Sequence, residues 1–529
     1  MLALYRPTAD AGTEHGAGSS TVLSRVLSRP RVTLALVALL GAWMCATTPA
    51  FSQEAYYWTY AQHPALSYFD HPPMVAWLIW IGTAVFGDGA VGIRFGTWLC
   101  GVGTAWLCMR QLAAWGFDHR AQCLGGALTV AMPILAITHI LANPDAPLVF
   151  FWTLAIFCLW RARSGSLRWW LLAGAAAGVA LLSKYSAVFL AIGGAITMLV
   201  DPAMRRQLRR PGVYLALVTA GLVFLPVIVW NVSNDFESFR YQTEERFAKS
   251  EFGAHWLIQV VTGQFLVFHP LLAVLLPFSL AWFARRWRLD ARAMWILAYG
   301  APMPAYLLVS SVWIQVKINW LAPAFVPLAL GLVVWWHQSR PLWAAGRAFR
   351  MARWSLLVVP LAMVLAPLIR FVPASRGSSW AGWDEVARRA EYWEDQVDAK
   401  DGIEGNVFFF AADYRDAAQL GHSLRRLWEQ EGEHQEVPGH PASLEPTLAQ
   451  NVLGQRALQF DHWTSPSSRI GQDAIFVLPR PHQRDEMVRK AAQRFDHVEK
   501  VEHMQVTYWG IVVFEADVYV CHNYHGPAG

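Results

Sequence analysis

Charged residues are scarce in this chain of 529 residues, where they make up only 15% of the total. A soluble domain carries roughly a quarter, so the composition excludes an ordinary soluble protein. Cysteine is also rare: there are six, all in apolar stretches except the isolated Cys521, and their spacing excludes a disulfide framework or a zinc site. Hydrophobic residues dominate instead, at 55% of the chain, and 28 of them are Trp.

Long apolar runs fill the region 32–372. Most hold about 18–25 residues, enough to cross a hydrocarbon core of roughly 30 Å, and the longest covers 255–283. They predict an all-α polytopic membrane protein with about 11 transmembrane helices. The run Met74–Phe86 is too short to span and is predicted to be a helix lying along the membrane surface.

Beyond residue 372 the sequence becomes mixed and polar, and short apolar runs alternate with helical stretches. About 155 residues suffice for a separate domain, and the alternation predicts an α/β fold. The predicted strands are Asn406–Phe410, Ala474–Leu478 and Gly510–Glu515, and the predicted helices are 414–430 and 484–495.

Lysine and arginine are concentrated in alternate short connections between the apolar runs. The positive-inside rule therefore predicts that segment 1–31 is cytoplasmic, and that loop 52–90 and domain 373–529 are periplasmic in a bacterial inner membrane. The first apolar run lacks a clean cleavage site and is predicted to stay as a helix. The basic excess follows this topology, so it indicates membrane lipids and no nucleic acid as partners.

Seven ionisable side chains are brought to the outer membrane face by this topology. Loop 52–90 is dense in acids and aromatic rings, and two lysines interrupt otherwise uncharged outer connections. The set consists of Glu54, Asp70, His71, Asp145, Lys184, Arg246 and Lys317.

Five of these residues also have a simpler interpretation. Glu54 could be a solvated loop acid, and Asp70 could cap the following helix. Asp145 could satisfy amides at a helix N-terminus. Lys184 and Lys317 could extend along the apolar surface to reach water.

Acids beside isolated cations suit glycosyl transfer from a polyprenyl-phosphate sugar. A carboxylate accepts the proton of an acceptor hydroxyl as it attacks the anomeric carbon. Basic side chains then stabilise the departing phosphate, so neither a metal nor another cofactor is predicted. Two alternatives remain: a transporter or flippase of a lipid-linked sugar, and a non-catalytic relative that binds one. Transporters place ionisable residues near the bilayer midplane, often within paired repeats, and no repeat is visible here.

The chain resembles the GT-C glycosyltransferases, specifically the bacterial relatives of protein O-mannosyltransferases and of the aminoarabinose transferase of lipid A. The resemblance lies in Gln53-Glu54-Ala55-Tyr56-Tyr57-Trp58, Tyr68-Phe69-Asp70-His71-Pro72-Pro73, Asn143-Pro144-Asp145-Ala146-Pro147, Leu181-Leu182-Ser183-Lys184-Tyr185, Ser238-Phe239-Arg240-Tyr241-Gln242 and Lys317-Ile318-Asn319-Trp320.

That resemblance implies a GT-C catalytic domain over 32–372 that inverts the anomeric carbon. The implied donor is an undecaprenyl-phosphate-type sugar, and the acceptor is lipid A, a lipopolysaccharide sugar, another envelope glycan or a protein. Catalytic roles are implied for Glu54, Asp70 and Asp145. Phosphate or substrate binding is implied for Tyr57, His71, Lys184, Tyr185, Arg246 and Lys317.

One position departs from the family pattern. The family's proposed base is the first acid of a pair, and Gln53 occupies that position here. An amide is a poor proton acceptor near neutral pH. We predict that Glu54 takes the role with Asp70 assisting; the alternatives are Asp70 as the base, Asp145 as the base, and an altered activity.

Overall fold

A computed structural model describes residues 29–244, 252–339, 346–373, 380–401, 406–431, 447–479 and 484–527. Helices make up the apolar part of the chain. They are α1 (Pro30–Thr47), α2 (Ser52–Gln62), α3 (Met74–Phe86), α4 (Ala90–Ala114), α5 (His119–Ala131), α6 (Pro133–Thr138), α7 (Asp145–Ala162), α8 (Leu167–Ser183), α9 (Phe189–Val200), α10 (Pro202–Gln207), α11 (Pro211–Ser233), α12 (Glu237–Thr243), α13 (Ala254–Phe268), α14 (Pro270–Ala284), α15 (Ala291–Gly300), α16 (Pro302–Ser310), α17 (Ala322–Ser339), α18 (Arg347–Ala352) and α19 (Val358–Val364).

Proline breaks several of the predicted spans. By length and composition, five helical stretches in the described ranges could cross a membrane, or six if α13 and α14 count as one span. The predicted span over 255–283 is bent in the middle, where α13 and α14 meet at 102°. His269 adopts a φ of 93° between them, and Pro270 has no N–H to continue the first helix. The total of eleven spans stays a prediction.

Helix α3 has the bounds that the sequence predicts, Met74–Phe86. One face, including Val75 and Ile79, is buried, whereas Trp80 and Val85 are exposed. An apolar exposed face fits the predicted position along the membrane surface, which itself stays a prediction.

The C-terminal part contains a five-stranded sheet with helices on both faces, in agreement with the predicted α/β class. Strands β1 and β3 are buried at every position because both faces are covered, and their alternate hydrophobic residues enter opposite cores. In order β2-β1-β3-β5-β4, the first three strands are parallel, and β5 is antiparallel to both neighbours. The elements are α20 (Trp383–Asp401), β1 (Val407–Ala411), α21 (Tyr414–Glu431), β2 (Thr447–Leu448), α22 (Phe460–Trp463), β3 (Asp473–Leu478), α23 (Arg484–Ala492), β4 (Phe495–Tyr508) and β5 (Ile511–Tyr524).

A shared hydrophobic core joins the first loop to the C-terminal part. Tyr56 of α2 packs against Tyr414 and Phe460, with ring centroids 4.6 and 6.2 Å apart. His422 of α21 contacts Trp58 and lies 2.8 Å from the carbonyl oxygen of Asp88. Helix α2 is therefore enclosed between the membrane helices and the sheet domain. The predicted division into 1–31, 32–372 and 373–529 stays a prediction.

Candidate active site

Glu54 lies in a buried ion pair. Its two oxygens accept from Nε and Nη2 of Arg94 at 2.7 and 2.5 Å, and both side chains are at most 1% exposed. Glu54 also accepts from the backbone N–H of Phe51 at 2.9 Å, which caps α2, and from that of Ala142 at 2.8 Å. Four donors thus surround one carboxylate. These contacts favour a positioning role for Glu54 over the catalytic role that the sequence predicts.

Asp70 is bound by the tyrosines of α2. The Tyr56 hydroxyl donates to Oδ1 of Asp70 at 3.2 Å and the Tyr60 hydroxyl donates to the same oxygen, while Nε2 of His71 lies 4.0 Å from Oδ2. Burial, and after it the negative charge of Asp70, raises the pKa of Tyr56 and Tyr60 well above the usual value. Both phenols therefore remain protonated donors. Asp70 is only 6% exposed, and its carboxylate is fixed by the two tyrosines at a position beside His71.

Asp145 is paired with Lys184, its Oδ1 lying 2.7 Å from Nζ. The Asn319 side-chain amide donates to the other oxygen of Asp145. The helix cap is provided by Asn143, whose side-chain oxygen accepts from the N–H groups of Asp145 and Ala146. The carboxylate of Asp145 therefore points towards Lys184 and does not serve as the cap.

Tyr57 connects the two acidic groups. Burial raises its pKa most, and the charges of Asp70 and Asp145 raise it further, so the hydroxyl lies within electrostatic range of both carboxylates. The side chain of Gln53 acts on the same hydroxyl and lowers the pKa of Tyr57. The ring of His71 packs edge-on against the ring of Tyr57, with centroids 5.6 Å apart. Gln53 thus lies where the family pattern has its acid, next to the converging groups.

Most of the predicted set converges, but not all of it. Tyr185 donates to or accepts from Ser238 at 2.8 Å and is within electrostatic range of Asp70. Lys317 is exposed and precedes the turn Ile318–Leu321, through which Asn319 reaches Asp145. Arg246 lies outside the described residues. Within the described ranges no cluster of three or more His, Cys, Asp or Glu side chains could hold a metal ion.

Several contacts from the C-terminal part were not predicted from the sequence. The side-chain oxygen of Gln459 accepts from the backbone N–H of Phe69 at 2.7 Å. The backbone N–H of Gln459 donates to the Tyr56 hydroxyl at 3.3 Å. The rings of His462 and Phe69 stack at 5.1 Å, and the Arg456 guanidinium lies 4.6 Å from the same Phe69 ring. The residue before Asp70 is therefore fixed from 390 positions away. No sequence pattern marks Gln459 for this position.

We expect Gln459→Leu to lower activity about tenfold while the protein stays folded. The substitution leaves the buried N–H of Phe69 without its acceptor, which costs roughly 1–3 kcal/mol and loosens the backbone beside Asp70. Initial rates of sugar transfer and the melting temperature in detergent measure the two effects. Gln493→Leu, at an exposed position after α23, is the matched control. Equal rates for the two variants would contradict the expectation.

A family comparison identifies the class of protein. Residues 70–230 match the family model described as dolichyl-phosphate-mannose-protein mannosyltransferase. This region contains Asp70, Asp145 and Lys184. Residues 70–230 therefore contain a domain of the GT-C family, as the resemblance in the motifs predicts, and the relatives of the chain are glycosyltransferases.

Two groups of relatives are similar in sequence. Lipid A galacturonosyltransferase RgtD of Rhizobium johnstonii is 28% identical over 65% of this chain and 72% of its own length. Undecaprenyl phosphate-alpha-4-amino-4-deoxy-L-arabinose arabinosyl transferase 1 of Pseudomonas fluorescens is 28% identical over 56% of this chain. This match covers 52% of that transferase, so about half of its length is compared.

The fold is that of a solved bacterial transferase. ArnT from Cupriavidus metallidurans in the apo state superposes with a TM-score of 0.62 at 16% identity, covering 92% of this chain and 97% of that one. The same protein bound to undecaprenyl phosphate gives a TM-score of 0.53 over the same shares. These likenesses establish the fold of both the apolar part and the C-terminal part.

Proposed function

We propose that this protein transfers a sugar from an undecaprenyl-phosphate donor to lipid A or another envelope acceptor at the periplasmic face of a bacterial inner membrane. The convergence of Asp70, Tyr57 and the Asp145–Lys184 pair carries the proposal. The relatives support it, since one is a lipid A galacturonosyltransferase and another is an arabinosyl transferase named for an undecaprenyl-phosphate sugar.

Asp70 is the proposed base. Its carboxylate accepts the proton of the acceptor hydroxyl while that oxygen forms a bond to the anomeric carbon. The bond between the anomeric carbon and the phosphate oxygen breaks, and the electron pair leaves with the lipid phosphate. A single displacement of this kind inverts the anomeric centre. Tyr56 and Tyr60 hold Asp70 in place by hydrogen bonds. Glu54 fixes the start of α2 and so positions these two tyrosines.

Lys184 is the proposed phosphate-binding cation. In the structure its ammonium group pairs with Asp145, and it is 13% exposed. A donor phosphate placed beside it would receive a charge-assisted hydrogen bond that strengthens as negative charge develops on the leaving oxygen. Asp145 and Asn319 orient the lysine and can bind a sugar hydroxyl. His71 lies on the Asp70 side and provides a second donor to the substrate.

A transfer assay tests the function. Purified protein in lipid nanodiscs would receive an undecaprenyl-phosphate sugar and lipid A, and mass spectrometry would follow the sugar. We expect a sugar-modified acceptor and free undecaprenyl phosphate in equal amounts. If radiolabelled sugar instead crossed the bilayer of a proteoliposome while still attached to its lipid, the protein would be a flippase.

We expect Lys184→Ala to lower the rate of transfer about 100-fold. Removing the lysine also leaves Asp145 buried without its cation, so the double variant Lys184→Ala/Asp145→Asn separates the two causes. The proposal predicts that the double variant recovers stability but not activity. Lys400→Ala, at an exposed position in α20, is the control. Recovery of activity in the double variant would show that Lys184 serves only to neutralise Asp145.

A further inference from the structure

The hairpin of β4 and β5 ends in an exposed apolar turn. Tyr508 pairs with Ile511, and Trp509 and Gly510 form the connection between the two 14-residue strands. Trp509 is 87% exposed, Ile511 43% and Tyr508 36%. A tryptophan in water at the end of a hairpin gives up the burial that its ring would otherwise gain.

The backbone at this turn is unusual for its residue type. Both connecting residues have positive φ, 50° at Trp509 and 78° at Gly510, as a two-residue hairpin turn requires. Asn, Asp or Gly normally occupy the first of these positions, because a bulky side chain in the left-handed region is strained. The strain at Trp509 is not offset by burial within the chain.

The turn lies at the end of the last apolar segment. The Trp509 ring stacks on Phe371, with centroids 4.6 Å apart, and Tyr508 packs edge-on against the same ring. Phe371 ends the helical turn Ala366–Phe371, where Leu368 is also exposed.

The first span ends at the same level. Arg370, which immediately precedes Phe371, donates to the carbonyl oxygen of Thr47 at 3.0 Å, and Thr47 is the last residue of α1. One turn earlier, Trp43 donates to the carbonyl oxygen of Val364. An arginine beside two helix ends marks the boundary between hydrocarbon and headgroups, which is where Trp and Tyr are enriched.

We propose that the tip Tyr508–Ile511 inserts into the headgroup region of the bilayer that the apolar helices cross, and so anchors the C-terminal part to the membrane surface. The apolar tip continues the exposed apolar surface around Leu368 and Val372, and this continuity favours lipid over a second protein. The anchor holds the end of the sheet domain beside α1, so that α21 stays against α2. This inference is independent of the proposed glycosyl transfer.

A fluorescence experiment on the full chain tests the anchor. All six native cysteines are buried, so a new surface cysteine can be labelled selectively. Trp509→Cys would carry an environment-sensitive fluorophore in nanodiscs of phosphatidylethanolamine and phosphatidylglycerol, with one protein copy per disc. Gln493→Cys is the control, because it lies two residues before β4 and thus near the opposite end of the hairpin, roughly 40 Å away.

We expect the label at 509 to emit at shorter wavelength than the label at 493, and to lose at least half of its intensity when lipids carry nitroxides. Equal quenching at the two positions would overturn the proposal. Protection from aqueous iodide without quenching by nitroxide lipids would also overturn it, because protein would then cover the tip. Trp509→Asn provides a second measurement: Asn suits the turn, so the hairpin stays folded while hydrogen exchange at the tip increases.

Discussion

Asp70→Asn is expected to lower the rate of sugar transfer by about 100- to 10,000-fold, the range that a general base contributes. The amide has the shape of the carboxylate and its oxygen can still accept from Tyr56 and Tyr60, so the surrounding structure should persist. Only the ability to take a proton is lost. Initial rates with saturating donor and acceptor, measured by mass spectrometry, give the ratio.

The matched control is Asp485→Asn, an exposed acid in the first turn of α23. It should leave the rate unchanged. A rate for Asp70→Asn within threefold of the unsubstituted protein would remove Asp70 from the chemistry and return the base to Asp145 or Glu54. If Asp145 is then the base, Asp145→Asn should lower the rate more than Glu54→Gln in the Arg94→Met background does; the reverse order would indicate Glu54.

Arg94→Met is expected to lower the free energy of unfolding by about 3–5 kcal/mol, since it leaves Glu54 as an unpaired buried charge. Arg94 also donates to the carbonyl oxygens of Thr48 and Pro49, so the link between α1 and α2 would lose its donors as well. Glu54→Gln should destabilise the protein for the same electrostatic reason. Both effects are measured by thermal unfolding in detergent, in which the fraction of monodisperse protein that remains at each temperature is determined.

The double variant Glu54→Gln/Arg94→Met distinguishes positioning from catalysis. With both charges removed, part of the lost stability should return. If Glu54 only positions α2, this folded double variant should be more active than Asp70→Asn. An inactive double variant of normal stability would instead support Glu54 as the base. Arg120→Met, at an exposed position of α5, is the control for loss of an arginine.

The sequence predicted the residues that topology brings together. Asp145 and Lys184 lie 39 positions apart; alternating charge in the loops predicts that both lie at one membrane face, and in the structure they are 2.7 Å apart. The helix Met74–Phe86 was also predicted with its bounds, because apolar residues fill it and prolines precede it. Patterns of this kind depend on the bilayer, which acts on every span in the same way.

Specific contacts between distant segments were not predictable. Nothing in the sequence around Arg94 indicates that it pairs with Glu54, 40 positions away. Strand β4 was missed because its mixed polar sequence is exposed along most of its length. In the same way, Gln459 contacts Phe69 through one hydrogen bond that depends on the packing of two domains.

The hydrogen bond from Phe69 to Gln459 has a consequence for biosynthesis. During translation the first loop emerges long before residue 459, so the helices around Asp145 and Lys184 can insert while the pocket beside Asp70 still lacks one wall. A chain whose translation stopped before Arg456 would insert into the bilayer but would lack the acceptor for the Phe69 N–H. The backbone beside Asp70 thus reaches its final arrangement only after residue 459 has been translated and the sheet domain has packed against the first loop.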